Sequence, residues 1–230
     1  MDPKIINFQE LANEFDKHGY KLYLVGGTVR DYLLNEPLTD MDAVTDATPN
    51  EVLNFLPNAD DTFARLGSLK YKDPTGIKFD ITTLRKESGY TDSRHPNKVV
   101  FVKDLFEDYP RRDFTVNAMY MDKDLKVYDF CNGQKDLQNH TLRMVGDPDQ
   151  RLKEDPLRIL RAIRFHLMFH LDIEKTLLEA MRDRFYLLEN ITDAKIRSEL
   201  DKIDDSKINL DEKRAIFKQF DIANLKGVIK

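Results

Sequence analysis

"GGTVRDYLLNEPLTDMD", residues 26–42, holds the reading that decides the fold. A glycine pair follows the strand-like "YKLYLVGG", a short helix-like "TVRDYLLN" comes next, and "TDMDAVTD" reads as a second strand. On a strand, residues i and i+2 point to one face, so Asp40 and Asp42 present their carboxylates together. Two like charges that close are costly unless something neutralises them. A divalent cation does so, and hard oxygen donors suit Mg²⁺, which is commonly held by one or two carboxylates plus phosphates. The glycine turn, Gly26 and Gly27, offers bare backbone N–H groups at a helix start, a natural anion site. Arg30, one turn into that helix, is placed to reach the same anion. A lone D-x-D or a lone G-G is common on any surface; their joint spacing is what points to a phosphate cradle and a metal clamp.

A further acid strengthens the reading. Asp80, in "KFDITTLR", sits in a later strand of alternating pattern. A third carboxylate beside the first two suits a two-metal phosphoryl-transfer site, where it helps activate the attacking hydroxyl. A solvated strand residue is nearly as good a reading of Asp80 taken alone.

Outward from this centre, residues 4–18 show Ile5, Phe8, Leu11 and Phe15 at helical spacing. "DATPNEVLNFL" carries a helix start, with Thr48 as cap, Pro49 first in the helix and Glu51 three after the cap. Strands are expected around "TFARLGSLKY", "GIKFDITTLR" and "VVFVKDL", and residues 86–98, polar with Gly and Pro, read as a long loop. "KVYDFCNGQKDL" reads as a last hairpin-like stretch. From about residue 147 helical signals take over, at 149–167, 173–188, 193–203 and 211–219. The expected organisation is therefore an α+β head over residues 1–145 and a helical domain over 146–230.

Two other stretches carry chemistry. In "RLKEDPLRILRAIRF", residues 151–165, a continuous helix would bury Leu152, Pro156, Leu160 and Ile163 and put Arg151, Asp155 and Arg158 on the opposite face, with Arg161 and Arg164 near it. That is either a surface helix with internal ion pairs or a pair of groups, one accepting and one donating in a planar fork, able to meet the edge of a nucleobase. In "RRDFTVNAM", residues 111–119, Arg111 and Arg112 are placed to hold a triphosphate and Asp113 to meet a ribose hydroxyl; a salt-bridged junction is the plainer reading.

Composition sets bounds rather than function. The chain has 230 residues, a net charge of −5 and a single cysteine, Cys131, so no internal disulfide forms, and a reducing cytoplasm is expected. The N-terminus lacks the basic start and apolar core of a signal peptide, and no apolar run is long enough to span a membrane.

Taken together the motifs resemble the class II tRNA nucleotidyltransferases, the CCA-adding enzymes and their bacterial poly(A) polymerase relatives. "GGTVRD" with "DMD" resembles the first motif of that family, "RRDFTVNA" the second and "EDPLRILRAIRF" the base-reading motif. The resemblance implies that Gly27 and Arg30 bind nucleotide, that Asp40 and Asp42 hold the metals, and that Arg112 and Asp113 bind nucleotide. It also implies that Asp155 and Arg158 act as an amino-acid template for CTP and ATP, assisted by Arg161 and Arg164. "RKESGYTDSRHP" resembles the flexible loop needed to progress from C to A. The implied fold is a polymerase-β-like nucleotidyltransferase head with a mixed or antiparallel sheet, followed by an all-helical neck. The implied activity is addition of C and A from CTP and ATP to the 3′ end of tRNA. A poly(A) polymerase and a non-catalytic nucleotide- or RNA-binding fragment are the alternatives. The resemblance covers roughly residues 20–205. Within it, "DAKIRSEL" has Ala194 and Lys195 where the family carries a Glu-Arg pair. The family's body and tail, which hold the tRNA elbow, are not expected within these 230 residues.

Overall fold

The computed structural model describes residues 2–90 and 96–225. The chain divides into two compact units, one built from residues up to 89 together with 96–134, the other chiefly from residue 135 onward.

The first unit is organised by a six-stranded mixed sheet. Helix α1 (Pro3–Lys17) begins with Asp2 as cap and Pro3 at the first helical position, and buries Ile5, Phe8, Leu11, Ala12 and Phe15 along one face. It packs against strand β1 (Leu22–Val25). The chain then turns through α2 (Gly27–Leu33), β2 (Met41–Thr45) and α3 (Pro49–Leu53). The start of α3 carries the full capping box expected from Thr48 and Glu51. A hairpin follows, β3 (Ser68–Lys72) and β4 (Lys78–Thr83), antiparallel to each other, with β4 lying parallel to β2. After β5 (Arg85–Tyr90), β6 (Pro96–Phe101) and α4 (Leu105–Asp108), the short strands β7 (Tyr120–Met121) and β8 (Val127–Tyr128) complete the sheet in the order β3-β4-β2-β1-β7-β8.

Register gives the two faces of this sheet different characters. Leu22 and Leu24, Met41 and Ala43, Phe79 and Ile81, and Leu69 lie on one face and are buried. The other face is apolar where Val25, Val44, Leu84, Leu105 and Tyr120 cluster. Towards the β3 edge that same face turns charged: Lys70 pairs with Asp80 across β3 and β4, and Asp80 with Asp42 across β4 and β2. A strand alternates its side chains with a period of two, so the uncovered charged face and the buried face come from the same five- and six-residue strands.

The second unit begins within α5 (Gly133–Gln138), about ten residues ahead of the boundary expected from sequence. It contains β9 (Thr141–Leu142), α6 (Pro148–Glu154), α7 (Leu157–Phe169), β10 (Asp172–Ile173), α8 (Lys175–Arg184), α9 (Asp193–Leu200) and α10 (Leu210–Gln219). It is helical apart from the two-residue parallel ladder between β9 and β10. Helix α6 packs on α8, and α7 on α9. Asp147, Glu174 and Asn209 cap α6, α8 and α10 through their side-chain oxygens.

Three local expectations are corrected. The stretch 151–165 is two helices, because Pro156 has no N–H to continue the ladder and Asp155 takes an extended conformation, φ −145° and ψ 95°. Residues 86–98 are not simply loop: β5 and β6 pair as a two-stranded ribbon, with residues 91–95 outside the described part. Beyond Tyr128 the hairpin-like pattern ends in a turn, where the Asp129 carboxylate accepts from the N–H groups of Gly133 and Gln134 and opens α5.

Candidate active site

The opening stretch closes on itself through one hydroxyl. Thr28 in α2 donates to the Asp40 carbonyl oxygen at 3.0 Å and accepts from the Asp42 N–H at 3.0 Å. Its side chain thus fixes the backbone on both sides of Met41 and with it the aim of the two carboxylates. Gly26 holds φ +68° and ψ −132°, a conformation for which glycine alone carries little strain, and a Cβ there would stand 4.0 Å from Asp42 Oδ2. The bare backbone of the glycine turn therefore borders the carboxylate directly.

Asp42 and Asp80 face each other across parallel strands, and Asp40 precedes β2 by one residue. Burial, then the neighbouring Asp80 and Asp40 carboxylates, push the Asp42 pKa up to about 6, with Arg112 pulling the other way. A buried carboxylate with two further carboxylates beside it makes a site with a deficit of positive charge. Among the described residues no three His, Cys, Asp or Glu side chains gather closely enough to hold an ion unaided. The set fits Mg²⁺ nonetheless, since that ion is commonly held by one or two carboxylates and completed by water and substrate phosphates.

Opposite the acids lie arginines. Gly26, Asp42, Asp80, Arg85, Arg111 and Arg112 are among the residues lining a cavity of about 150 Å³. Asp108, fully buried, positions these arginines. Its Oδ1 accepts from the Arg111 Nε at 2.8 Å and the Arg85 backbone N–H at 2.9 Å; its Oδ2 accepts from the Arg112 Nη2 at 2.9 Å and the Tyr120 hydroxyl at 2.7 Å. Burial pushes the Asp108 carboxyl up, but Arg112 and Arg111 more than offset this and hold it well below the usual carboxylate range. Arg112 also lies over the Tyr120 ring, 4.9 Å from its centroid. Glu87 in β5 pairs with Arg85 at 2.7 Å and Arg111 at 3.5 Å, so the β5–β6 ribbon shares this network. Thr28, Arg85, Glu87, Asp108 and Tyr120 are the residues of this network that sequence reasoning missed. The one signal for Asp108 is its place three and four residues before Arg111 and Arg112.

Two expected nucleotide ligands, Arg30 for phosphate and Asp113 for a ribose hydroxyl, stand apart from the arginine cavity. Arg30 is 5% exposed and gives its guanidinium to Asn117 Oδ1 at 2.7 Å and to Asp31 Oδ1 at 2.7 and 2.9 Å. One turn along α2 it points into the unit, where it ties the glycine turn to residues 115–117, with Arg30 Nη2 in van der Waals range, at 3.4 Å, of the position a Cβ would take at Gly27. Asp113 accepts from its neighbour's N–H, Phe114, at 2.8 Å, and is not among the residues lining the arginine cavity.

In the second unit the break at Pro156 rearranges the expected face. Arg151 and Arg158 are buried rather than on a solvent face. Arg158 Nη1 donates to the Arg151 carbonyl oxygen at 2.7 Å and to Glu154 at 3.2 Å, and Arg151 pairs with the same Glu154. Asp155 Oδ1 accepts from the Leu157 N–H at 3.1 Å, which helps start α7. Arg164 donates from Nε to Glu199 of α9 at 2.7 Å and lies 4.3 Å from the Phe165 centroid; Arg161 lies 5.6 Å from the same ring. Glu199 is held low, since Arg164, Lys202 and Arg161 outweigh the effect of its burial.

Comparison with known proteins adds an independent line. The family model described as the poly(A) polymerase head domain matches residues 22–143, rather more than half of the chain. A CCA-adding enzyme of Staphylococcus haemolyticus is 39% identical over 193 residues, which are 84% of this chain and 48% of that enzyme. One from Lactobacillus helveticus is 43% identical over 185 residues, 80% of this chain and 46% of the relative. Among solved structures, the Bacillus stearothermophilus CCA-adding enzyme in complex with CTP aligns with a TM-score of 0.80 at 32% identity, over 88% of this chain and 49% of that one. The Thermotoga maritima CCA-adding enzyme complexed with tRNA-CCA aligns with a TM-score of 0.76 at 30% identity, over 96% and 52%. This chain thus spans about half the length of the curated relatives it matches.

Proposed function

The chain belongs to the poly(A) polymerase head-domain family, and from that membership we propose that it transfers nucleotides from CTP and ATP to the 3′ end of tRNA lacking its CCA. The observation that carries the reading is the row Asp42–Asp80, with Asp40 beside it, bordered by a cavity that three arginines line. Carboxylates gathered this closely favour a cation between them, and arginines converging on a small cavity suit a polyphosphate.

In this mechanism Asp40 and Asp42, aided by Asp80, hold Mg²⁺. When bound, the metal supplies a lowered pKa at the primer 3′-hydroxyl and a positive seat for the triphosphate and its pyrophosphate leaving group. Arg111 and Arg112 neutralise the triphosphate from the other side, aimed by Asp108. Arg85 supports them. The Gly26 backbone borders that cavity. Arg30 acts at one remove, by fixing the glycine turn. In the second unit the nucleobase edge is assigned to Asp155 and Arg158, with Arg161 and Arg164 in support; to meet a base, Arg158 has to turn from Glu154 and the Arg151 carbonyl. A wrong base leaves polar groups there without partners, which makes discrimination large. The first unit, expected as residues 1–145, is in this reading the catalytic head, and the helical remainder the base-reading neck. A cytoplasmic setting belongs to this reading. Among the described residues no helix is long and apolar enough to cross a membrane.

The test adds labelled CTP and ATP, separately and together, to a tRNA lacking CCA, in the presence of Mg²⁺. Addition of CCA that then stops is the expected result. A long A tail would favour the poly(A) polymerase reading, to which the description of the matching family model lends weight. No addition to any RNA, with metal-dependent nucleotide binding retained, would leave this length of chain a nucleotide-binding fragment.

A further inference from the structure

The charged face of the sheet continues past the carboxylates. Lys70 and Lys72 of β3 and Lys78 of β4 stand on it, all exposed. Lys72 lies directly opposite Lys78 in the antiparallel pair, an arrangement of like charges that works against the sheet. Neither makes an ion pair with any described residue. Lys70 makes only a long contact, 4.0 Å from Asp80 Oδ1, with both side chains more than half exposed. The hairpin that presents them is held firmly: Asp73 Oδ1 accepts from the N–H groups of Thr75 and Ile77, and Asn7 of α1 donates to Asp73 Oδ2 at 2.6 Å. The lysines line a hollow of about 460 Å³ together with Asp40, Asp60 and Asp80.

Asp80 borders both this hollow and the arginine cavity. Asp80 therefore stands between two groups of basic side chains of different kinds. In a phosphoryl transfer the attacking and leaving oxygens lie roughly in line on opposite sides of the phosphorus. The arginine side has the rigid, buried forks suited to a triphosphate. The lysine side has flexible, hydrated point charges on an open sheet face, which suit a sequence-independent phosphodiester backbone.

Resting on the functional reading above, we propose that Lys70, Lys72 and Lys78 bind the phosphodiester backbone of the RNA strand whose 3′ end is extended, and lead its terminal hydroxyl to the carboxylates from the side opposite the triphosphate.

The experiment measures binding of a fluorescein-labelled RNA minihelix lacking CCA to the whole chain across a range of KCl concentrations. The wild type is compared with Lys72→Glu/Lys78→Glu and with the neutral Lys72→Gln/Lys78→Gln. Mg²⁺-dependent CTP binding is measured beside it. The expected result is RNA binding at least tenfold weaker in the reversed variant and a salt dependence shallower by about 1.4–1.8 in log–log slope, as two lost phosphate contacts require. The neutral variant should fall between, and CTP binding should be unchanged in both. Unchanged RNA affinity and salt slope overturn the proposal, as does an equal loss of CTP binding. The outcome is separable from that of the activity itself. RNA binding that depends on these lysines without any nucleotide addition overturns the transferase reading and leaves the surface assigned. Addition by a reversed variant with undiminished RNA affinity overturns the surface alone.

Discussion

Asp42 is a poor residue for stability in the absence of a cation. Its folded pKa of about 6 lies above the ordinary value of 3.8, so the native state holds a proton that the unfolded chain has released between those values. Ionisation thus costs stability as pH rises through that window, on the order of 2–3 kcal/mol by its end. Asp42→Asn should raise the unfolding midpoint at pH 8 in the absence of metal, lose that advantage by pH 4, and abolish nucleotide addition. Urea melts at the two pH values check it; equal shifts at both would mean that Asp42 ionises like an exposed carboxylate. Asp108 is its opposite. Held low by Arg112 and Arg111, its charge stabilises the native state at every pH above its unfolded value, and that contribution is lost only in strong acid. Asp108→Asn leaves buried arginines facing an amide, and should cost about 3–5 kcal/mol, as breaking a buried ion pair does. A denaturant midpoint within experimental error of wild type would refute this. Sequence showed Asp42 because its partner carboxylate is two residues away. It hid Asp108, whose other partners, the Arg85 N–H and the Tyr120 hydroxyl, come from 23 and 12 residues away.

At the scale of elements, the same contrast between local and distant causes decides what could be read. The α3 capping box was legible because Thr48, Pro49 and Glu51 act on one another within a single turn. The β5–β6 ribbon was not, because polar residues with Gly89 and Pro96 suggest loop, whereas cross-strand pairing and the Glu87 link to Arg85 and Arg111 order it. The face assigned to Arg151, Asp155 and Arg158 failed for a different reason: helical spacing was carried across Pro156, where the ladder stops. The junction before α5 gives a prediction of its own. Gly133 has no special backbone angle, yet a Cβ there would sit 2.2 Å from the Thr115 carbonyl oxygen, which is backbone and cannot swing aside. Gly133→Ala should therefore destabilise by more than about 2 kcal/mol, beyond the ordinary effect of a surface substitution. A thermal midpoint unaltered by this change would show that residues 115 and 133 do not approach as described.

At the scale of the whole molecule, composition misleads. A chain with a net charge of −5 carries no overall sign of an affinity for nucleic acid. Within the first unit positive charge is sorted by fold, into arginines at one side of the carboxylates and lysines at the other. Only the pairing of β3 with β4 and of β4 with β2 brings these together. The order of the motifs was enough to reach the family, and the comparisons bear that out.

The central place of β2 and β4 has a consequence for how activity is lost. Each is flanked by a strand on both sides, so neither can fray from an open edge. Asp42 and Asp80 are thus carried by strands with no open edge, whereas many enzymes hold such groups on segments that loosen first. Amide hydrogens of β2 and β4 should accordingly exchange as slowly as any in the first unit. Metal-dependent nucleotide binding should vanish at the urea concentration at which those strands melt. Loss of binding at clearly lower urea, with β2 and β4 still protected from exchange, would place the fragile step in the arginine network instead.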